Sequence, residues 1–365
     1  MSRGVNRLRA LAGATLGALG RRRLSARPAN PAKILVLHEL LLGDTLMLAP
    51  LLAALRRRYP VAELFTTARV PYAGLFSGRP CGVNVLPFSE RDPNALRALS
   101  PASRADIVIL PGENRHAVLA RALGAQWIVA FAGGRPAWKD RAADELVPMP
   151  STPTALADMF ALLAGPPVEE LRYAPADWPA PVFVPFDRPP NPYAVLHVGA
   201  GSPLRLWEPY KWRAVAEALA ARGLQVVWSA GAGEVDLVRG IDPEGRHLSY
   251  AGRLDLAQLW HLLAGARCAV SLDTGIAHLA KLTRTPTAVL FGPGSEVLFG
   301  KGTFWLDNQF QAVTRSAFAC RDQRNLFKRE VPWVRRCNRT LAECPRPRCM
   351  DALTPEEVIA ALQVE

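Results

Sequence analysis

The chain has 365 residues, 50% of them apolar and 21% charged, enough for two domains with separate cores and ordinary for a globular protein. No uninterrupted apolar run approaches the roughly 18 residues that a membrane-spanning helix needs. The formal net charge of +12 is unevenly placed: residues 1–30 hold seven Arg and no acid, residues 315–348 hold ten Lys/Arg against three acids, and the remainder is close to neutral. Basic character confined to two appendages suits an anionic surface or substrate; lipid head groups, phosphorylated glycolipid and nucleic acid are all admissible at this level.

In chain order, residues 1–32 form a basic arm. Val5, Leu8, Leu11, Ala12, Leu16 and Leu19 recur at helical spacing, and Arg21, Arg22 and Arg23 close the apolar part. That order is the reverse of a secretory signal. It reads as an interfacial helix for an anionic membrane or as a disordered basic leader. Lys33–His38 is a continuous apolar strand that opens a first domain over 33–165. A Leu-Gly-Asp turn at 42–44 follows, with Asp44 at a helix N-terminus, and one helix is predicted from Leu46 to Arg58, ended by Tyr59-Pro60. Further strands are predicted over 63–66, 83–86, 106–110 and 127–131. Alternation of strand with helix argues for an α/β fold with parallel sheets. Nine prolines between 166 and 192 exclude helix or central strand there and mark an interdomain linker.

A second domain, 193–365, repeats the pattern. Ala194–Val198 is a strand, Gly199-Ala-Gly-Ser202 a glycine-rich turn, Tyr210–Arg222 a helix, and Gln225–Ser229 a strand followed by Gly231-Ala-Gly-Glu234. The spaced glycines and acid of a dinucleotide fingerprint are not completed. Cys268–Leu272 is a buried-type strand, and Asp273-Thr274-Gly275 are cap residue types that start a helix carrying His278. Thr287–Phe291 is another strand, closed by Gly292-Pro293-Gly294. Two parallel strands ending side by side bring both turns to one carboxyl edge, where open α/β sheets bind ligands and a helix N-terminus suits a phosphate or diphosphate. The tripeptide alone could be no more than a helix cap; His278 beside it makes a denser polar cluster than packing needs. Cys320, Cys337, Cys344 and Cys349 crowd the basic segment 315–349, without the paired Cys-x-x-Cys spacing of a zinc site. Cys81 and Cys268 sit in apolar contexts and read as inert. Thr354-Pro355-Glu-Glu starts a final amphipathic helix.

Ser271-Leu-Asp-Thr-Gly-Ile-Ala-His-Leu-Ala280 and Phe291-Gly-Pro-Gly-Ser295 resemble the signature of glycosyltransferase family 9, the ADP-heptose:lipopolysaccharide heptosyltransferases. The stretch 34–60 resembles the opening of that family, and Gly199, Arg205, Trp207 and Gly231–Glu234 are similar to its later turns. Residues 61–185 and 304–349 match little. The resemblance implies GT-B architecture, two Rossmann-like parallel-sheet domains facing across a cleft. It implies Asp44 as catalytic base, and Gly199, Arg205, Glu234, Asp273, Thr274, Gly275, His278 and Gly292 as donor-binding residues. Arg205 stands where the family usually has Lys; it keeps the charge and adds bidentate geometry.

The activity implied is inverting transfer of a heptose or related sugar from ADP-heptose to a lipopolysaccharide core or similar anionic glycolipid. The partners are then the ADP-sugar donor, the glycolipid acceptor and peripherally an anionic membrane, with no nucleic acid. The location implied is cytoplasmic, at the inner face of the inner membrane. No catalytic metal or cofactor is expected, since no Asp-x-Asp pair stands at either strand edge; a structural zinc or iron on the four clustered cysteines stays open. The rival reading is a non-catalytic nucleotide-sugar, nucleic-acid or membrane-binding protein that uses the Arg-rich appendages and the cysteines.

Overall fold

The computed structural model describes residues 24–92, 94–315 and 318–362. The expected interfacial helix at the N-terminus lies outside these residues. In the remainder of the arm, Arg27 is tied to the fold by an ion pair with Glu145 at 2.9 Å and by bonds to the Ala164 and Leu163 carbonyls. Among the described residues no helix is long and apolar enough to cross a membrane.

The chain divides into two compact units, Met1–Pro179 with Asn325–Trp333, and Ala180–Arg324 with Val334–Glu365. Unit 1 holds a six-stranded sheet of β1 (Lys33–Val36), β2 (Glu63–Ala68), β3 (Asn84–Pro87), β4 (Ile107–Leu110), β5 (Trp127–Phe131) and β6 (Glu145–Val147), in the order β3-β2-β1-β4-β5-β6. All neighbours are parallel, with Ile34 opposite both Leu64 and Ile107. Strands such as Ile107–Leu110 and Trp127–Phe131 are buried at every position, which is why they read as unbroken apolar runs rather than alternating ones. The chain leaves β1 in one direction and returns to β4 on its other side, so the crevice where ligands bind in such sheets lies between the ends of β1 and β4.

After β1 come α1 (Leu42–Leu46) and α2 (Ala49–Arg58). The single helix expected from Leu46 is therefore two pieces. Pro50 has no N–H to give the Leu46 carbonyl, and the break falls at Met47-Leu48. The Arg triplet does more than face a helix dipole: Arg56 donates to the carbonyls of Cys81, Pro60 and Ala62, and Arg58 to that of Pro166. Helix α3 (Leu156–Ala161) packs on α2.

The proline-rich stretch is pinned at both ends. Trp178 is buried, donates Nε1 to the Leu75 carbonyl at 3.2 Å and packs on Phe76. Phe183 lies on His261, whose Nε2 meets the Pro181 carbonyl at 2.8 Å. The boundary at Pro179 falls inside the expected linker.

Unit 2 repeats the architecture with β7 (Tyr193–His197), β8 (Gln225–Ser229), β9 (Leu248–Ser249), β10 (Cys268–Leu272), β11 (Thr287–Phe291) and β12 (Phe310–Thr314), all parallel, in the order β12-β11-β10-β7-β8-β9. Its crevice lies between the ends of β7 and β10. Covering helices include α4 (Pro209–Ala221), α5 (Gly275–Thr283) and α6 (Pro355–Leu362). Trp207 and Trp212 meet edge to face at 5.3 Å in this core, and Trp207 Nε1 and Lys211 Nζ both donate to the Leu353 carbonyl, which holds the chain just before α6. Asn325–Trp333 was expected within the second domain and instead packs with unit 1, because a buried Arg329 is bonded there.

Helix α6 begins with a reciprocal cap. Thr354 Oγ1 accepts from the Glu357 N–H at 3.4 Å, and Glu357 Oε2 accepts from the Thr354 N–H at 3.0 Å. Thr354→Ala removes one side of it at a cost of about 1 kcal/mol, which should speed amide exchange in α6 about fivefold. Unchanged exchange at residues 358–362 would show that packing of Val358 and Leu362 alone holds this helix.

Candidate functional site

The strongest site lies on the carboxyl edge of unit 2. Asp273 leaves β10 and is 4% exposed. Thr274 is the N-cap of α5, its side chain accepting from the Ile276 N–H at 3.3 Å. Gly275 opens the helix and His278 stands one turn in, buried. Arg205, from the loop after β7, donates Nη1 to the Asp273 carbonyl. The sequence-selected Arg205, Asp273, Thr274, Gly275 and His278 are thus brought together, at the β7/β10 crevice.

Burial raises the Asp273 carboxyl on balance, against the lowering influence of Arg205, Lys281, Arg336 and Arg321. His278 is the reverse case: burial, then Lys281 and Arg205, hold it well below an ordinary imidazole, so it is neutral. Lys281 is 1% exposed, and its ammonium reaches His278 Nδ1 at 3.3 Å, the Phe299 carbonyl at 2.9 Å and the Gly300 carbonyl. It also sits 4.3 Å from the Phe310 ring centroid and 5.1 Å from that of Trp305. An ammonium only donates, so Nδ1 is the acceptor and Nε2 of the neutral ring carries the proton.

The glycines sort by contact. A Cβ on Gly294 would lie 2.0 Å from Asp273 Oδ2, so only glycine fits over that carboxylate. A Cβ on Gly292 would instead meet Met350 Sδ at 2.2 Å, and its carbonyl accepts from Arg321. Gly292 thus packs against the C-terminal segment, and Gly294 is the glycine of this turn that faces the site. A Cβ on Gly199 would come 2.0 Å from Glu234 Oε2, and that oxygen accepts the Gly231 N–H at 2.9 Å. Glu234 therefore covers the ends of β7 and β8, beside the Arg205 loop.

In unit 1, Asp44 is half-buried in the first turn of α1. His38, at the end of β1, is buried and lowered to about 3, mainly by desolvation and then by His116 and Arg69. Its Nδ1 accepts from the Leu40 N–H at 3.3 Å, and Thr66 Oγ1 lies 3.3 Å from Nε2. A neutral His38 thus fixes the backbone just ahead of the Asp44 turn.

The basic segment 315–348 is largely occupied within the fold. Arg321 and Arg329 are buried, and Arg315, Arg339 and Arg346 pair with Glu357, Asp322 and Asp351. All six cysteines are free thiols, and burial raises Cys81 to about 12 and Cys268 to about 11, which fits inert roles. Among the described residues no three His, Cys, Asp or Glu side chains are grouped to hold a metal ion, Cys320, Cys337, Cys344 and Cys349 included. A cavity of about 300 Å³ lined by Arg213, Glu217, Trp228, Asp242, Glu244 and His247 lies elsewhere in unit 2 and contains none of the candidate residues. Sequence reasoning missed Lys281, Arg321, Arg336 and Gly294. Lys281 stands three residues after His278 on one helix face, the available signal.

Two parallel six-stranded sheets with a ligand edge on each define a GT-B glycosyltransferase fold. The Escherichia coli ADP-heptose lipopolysaccharide heptosyltransferase II structure matches with a TM-score of 0.65 at 20% identity, over 90% of this chain and 98% of that one. The model for glycosyltransferase family 9 (heptosyltransferase) matches residues 96–330, and the chain belongs to that family. Lipopolysaccharide heptosyltransferase 1 of Pseudomonas aeruginosa is 28% identical over 180 residues, 48% of each chain, so the match spans about half the length of that relative. Lipopolysaccharide heptosyltransferase 3 of Escherichia coli is 25% identical over 312 residues, 78% of this chain and 90% of the relative.

The pH dependence of stability follows from three buried histidines. His38 is lowered to about 3, His197 to about 4 by burial, and His278 well below its ordinary value. Below about pH 6.5 the unfolded chain takes up protons that the folded chain refuses, so their stabilisation is full above that pH and is lost on acidification. Each contributes a slope of up to about 1.4 kcal/mol per pH unit until its folded pKa is reached. Core-amide exchange should show both units losing stability between about pH 6.5 and 5, the loss in unit 2 being reduced where the raised Asp273 carboxyl takes up a proton in the folded state. Stability unchanged in unit 1 over that range would contradict a neutral His38.

Proposed function

We propose that the protein transfers a heptose from ADP-heptose to an anionic glycolipid, with inversion at the anomeric carbon. The observation that carries this reading is the helix start at Thr274-Gly275, with Arg205 held on the Asp273 carbonyl beside it and Lys281, Arg321 and Arg336 acting on the buried Asp273 carboxyl. A departing nucleoside diphosphate gains negative charge as the sugar–oxygen bond breaks. Fixed cations and a helix N-terminus stabilise that charge without reorganising. Family membership supports heptose as the sugar, and the relatives' printed names supply ADP-heptose and lipopolysaccharide as donor and acceptor classes.

Asp44 accepts the proton of the acceptor hydroxyl while its oxygen bonds to the anomeric carbon and ADP leaves. Arg205, Lys281, Arg321 and Arg336 meet the diphosphate charge in this reading, so a chelator leaves transfer unchanged. The basic residues before Leu24 are the ones suited to an anionic membrane; Arg27 is not among them, being paired with Glu145.

Asp44→Asn is expected to lower the transfer rate by about 10²–10⁴ while leaving ADP affinity within about twofold. Turnover of the variant within about tenfold of the wild type would remove Asp44 as the base.

A further inference from the structure

The hairpin within Asn325–Trp333 is built at a conformational cost. Its strands β13 (Asn325–Leu326) and β14 (Arg329–Glu330) pair antiparallel with Leu326 opposite Arg329, leaving Phe327 and Lys328 as a two-residue loop. Both have positive φ, 47° and 62°. This is the type I′ turn, normally made by Asn-Gly because residues with a Cβ are strained there. Such strain persists only where the surroundings over-determine it.

Here the surroundings do so. Arg329 is 2% exposed and all five of its guanidinium N–H groups are used. Nε donates to the Ala132 carbonyl at 3.0 Å, and Nη1 to the Gly112 and Phe327 carbonyls, each at 3.0 Å. Nη2 donates to Asn114 Oδ1 at 2.6 Å and to the Phe131 carbonyl at 3.1 Å. The Phe327 ring stacks on Phe160 at 6.0 Å.

The position of the tip gives it meaning. Gly112 and Asn114 follow β4, and Leu40 follows β1, so the tip sits at the crevice of the unit 1 sheet. A Cβ on Gly112 would meet Leu40 Cδ2 at 3.2 Å and Phe327 Cδ1 at 4.0 Å, which puts the hairpin beside the loop that leads into α1, the helix of Asp44. Lys328 Nζ lies 3.3 Å from Glu113 Oε2, with the lysine side chain 59% exposed. A pair this exposed to solvent contributes too little to justify a strained turn.

We infer that the Phe327-Lys328 tip is an acceptor-binding element: Lys328 contacts an anionic group, a phosphate or a carboxylate, on the sugar whose hydroxyl Asp44 deprotonates. Arg329 anchors the tip. This rests on the transferase reading above. The two sources of negative charge share one chemistry, an oxyanion meeting an exposed ammonium beside the ligand crevice.

The test uses full-length protein and calorimetry, with the de-O-acylated oligosaccharide of a heptose-deficient lipopolysaccharide as probe and ADP titrated in parallel. Lys328→Ala removes the charge and Lys328→Arg keeps it. The double change Phe327→Asn with Lys328→Gly supplies a relaxed type I′ turn, so the hairpin is retained without either side chain. Lys328→Ala and the double variant should weaken oligosaccharide binding about tenfold or more, and Lys328→Arg should stay close to wild type. ADP binding should not change in any of them. If phosphatase treatment of the oligosaccharide lowers wild-type affinity to the Lys328→Ala level, the contact is to phosphate; if it does not, the contact is to carboxylate. Undiminished binding by the double variant overturns the inference, as does a wild type that binds ADP but no oligosaccharide. Failure of the wild type to bind ADP counts against the transferase reading, while the oligosaccharide arm still decides the tip.

Discussion

A carboxyl taken out of water is raised by desolvation, and the cations that act against that shift at Asp273 organise the carboxyl edge of unit 2. Its partners come from far apart in the chain: Arg205 from the loop after β7, Lys281 from α5, Arg321 and Arg336 from the segment after β12. Three of them are held by bonds to neutral acceptors. Arg205 donates to a carbonyl, Lys281 to two carbonyls and a neutral imidazole, and Arg321 to the carbonyls of Phe291 and Gly292. Arg321 has a further carboxylate, Glu296, at 3.7 Å. Arg205, held on the Asp273 carbonyl, lies at a helix N-terminus already favourable to anions. Gly294 follows from the same constraint, since any side chain there would strike the carboxylate.

Unit 1 solves a different problem. Its edge holds Asp44, preceded by a histidine kept neutral by burial, and a hairpin that leaves unit 2 to pack there. Arg329 is buried against neutral acceptors, and Asn114, which takes one of its bonds, donates in turn to Asp140 at 2.6 Å. A cation so placed costs desolvation and returns fixed position.

The strands that pack on both faces were legible because burial at every position leaves an unbroken apolar run, as in Ile107–Leu110 and Trp127–Phe131. The edge strands Glu145–Val147, Leu248–Ser249 and Phe310–Thr314 were not, being short or partly exposed and therefore mixed in composition. The polar cluster at Asp273, Thr274, Gly275 and His278 was legible because it is local, four residue types around one helix start. Lys281 was hidden: a lysine in an apolar helix reads as solvent-facing until the aromatic rings of Trp305 and Phe310 are seen around it. Gly292 and Gly294 cannot be told apart in sequence, because which of them faces Asp273 depends on the conformation of the turn. The hairpin was placed with the wrong domain because its anchor contacts lie about two hundred residues away in the chain, and no local pattern encodes them.

The central claim is that the charge around Asp273 receives a diphosphate. Titration of the wild-type protein with ADP, AMP and adenosine at low and moderate salt tests it most directly. Affinity should fall by about tenfold or more from ADP to AMP and again to adenosine, and only the phosphate-bearing ligands should weaken as salt is raised. Equal affinity for adenosine and ADP, or binding of ADP insensitive to salt, would contradict the account.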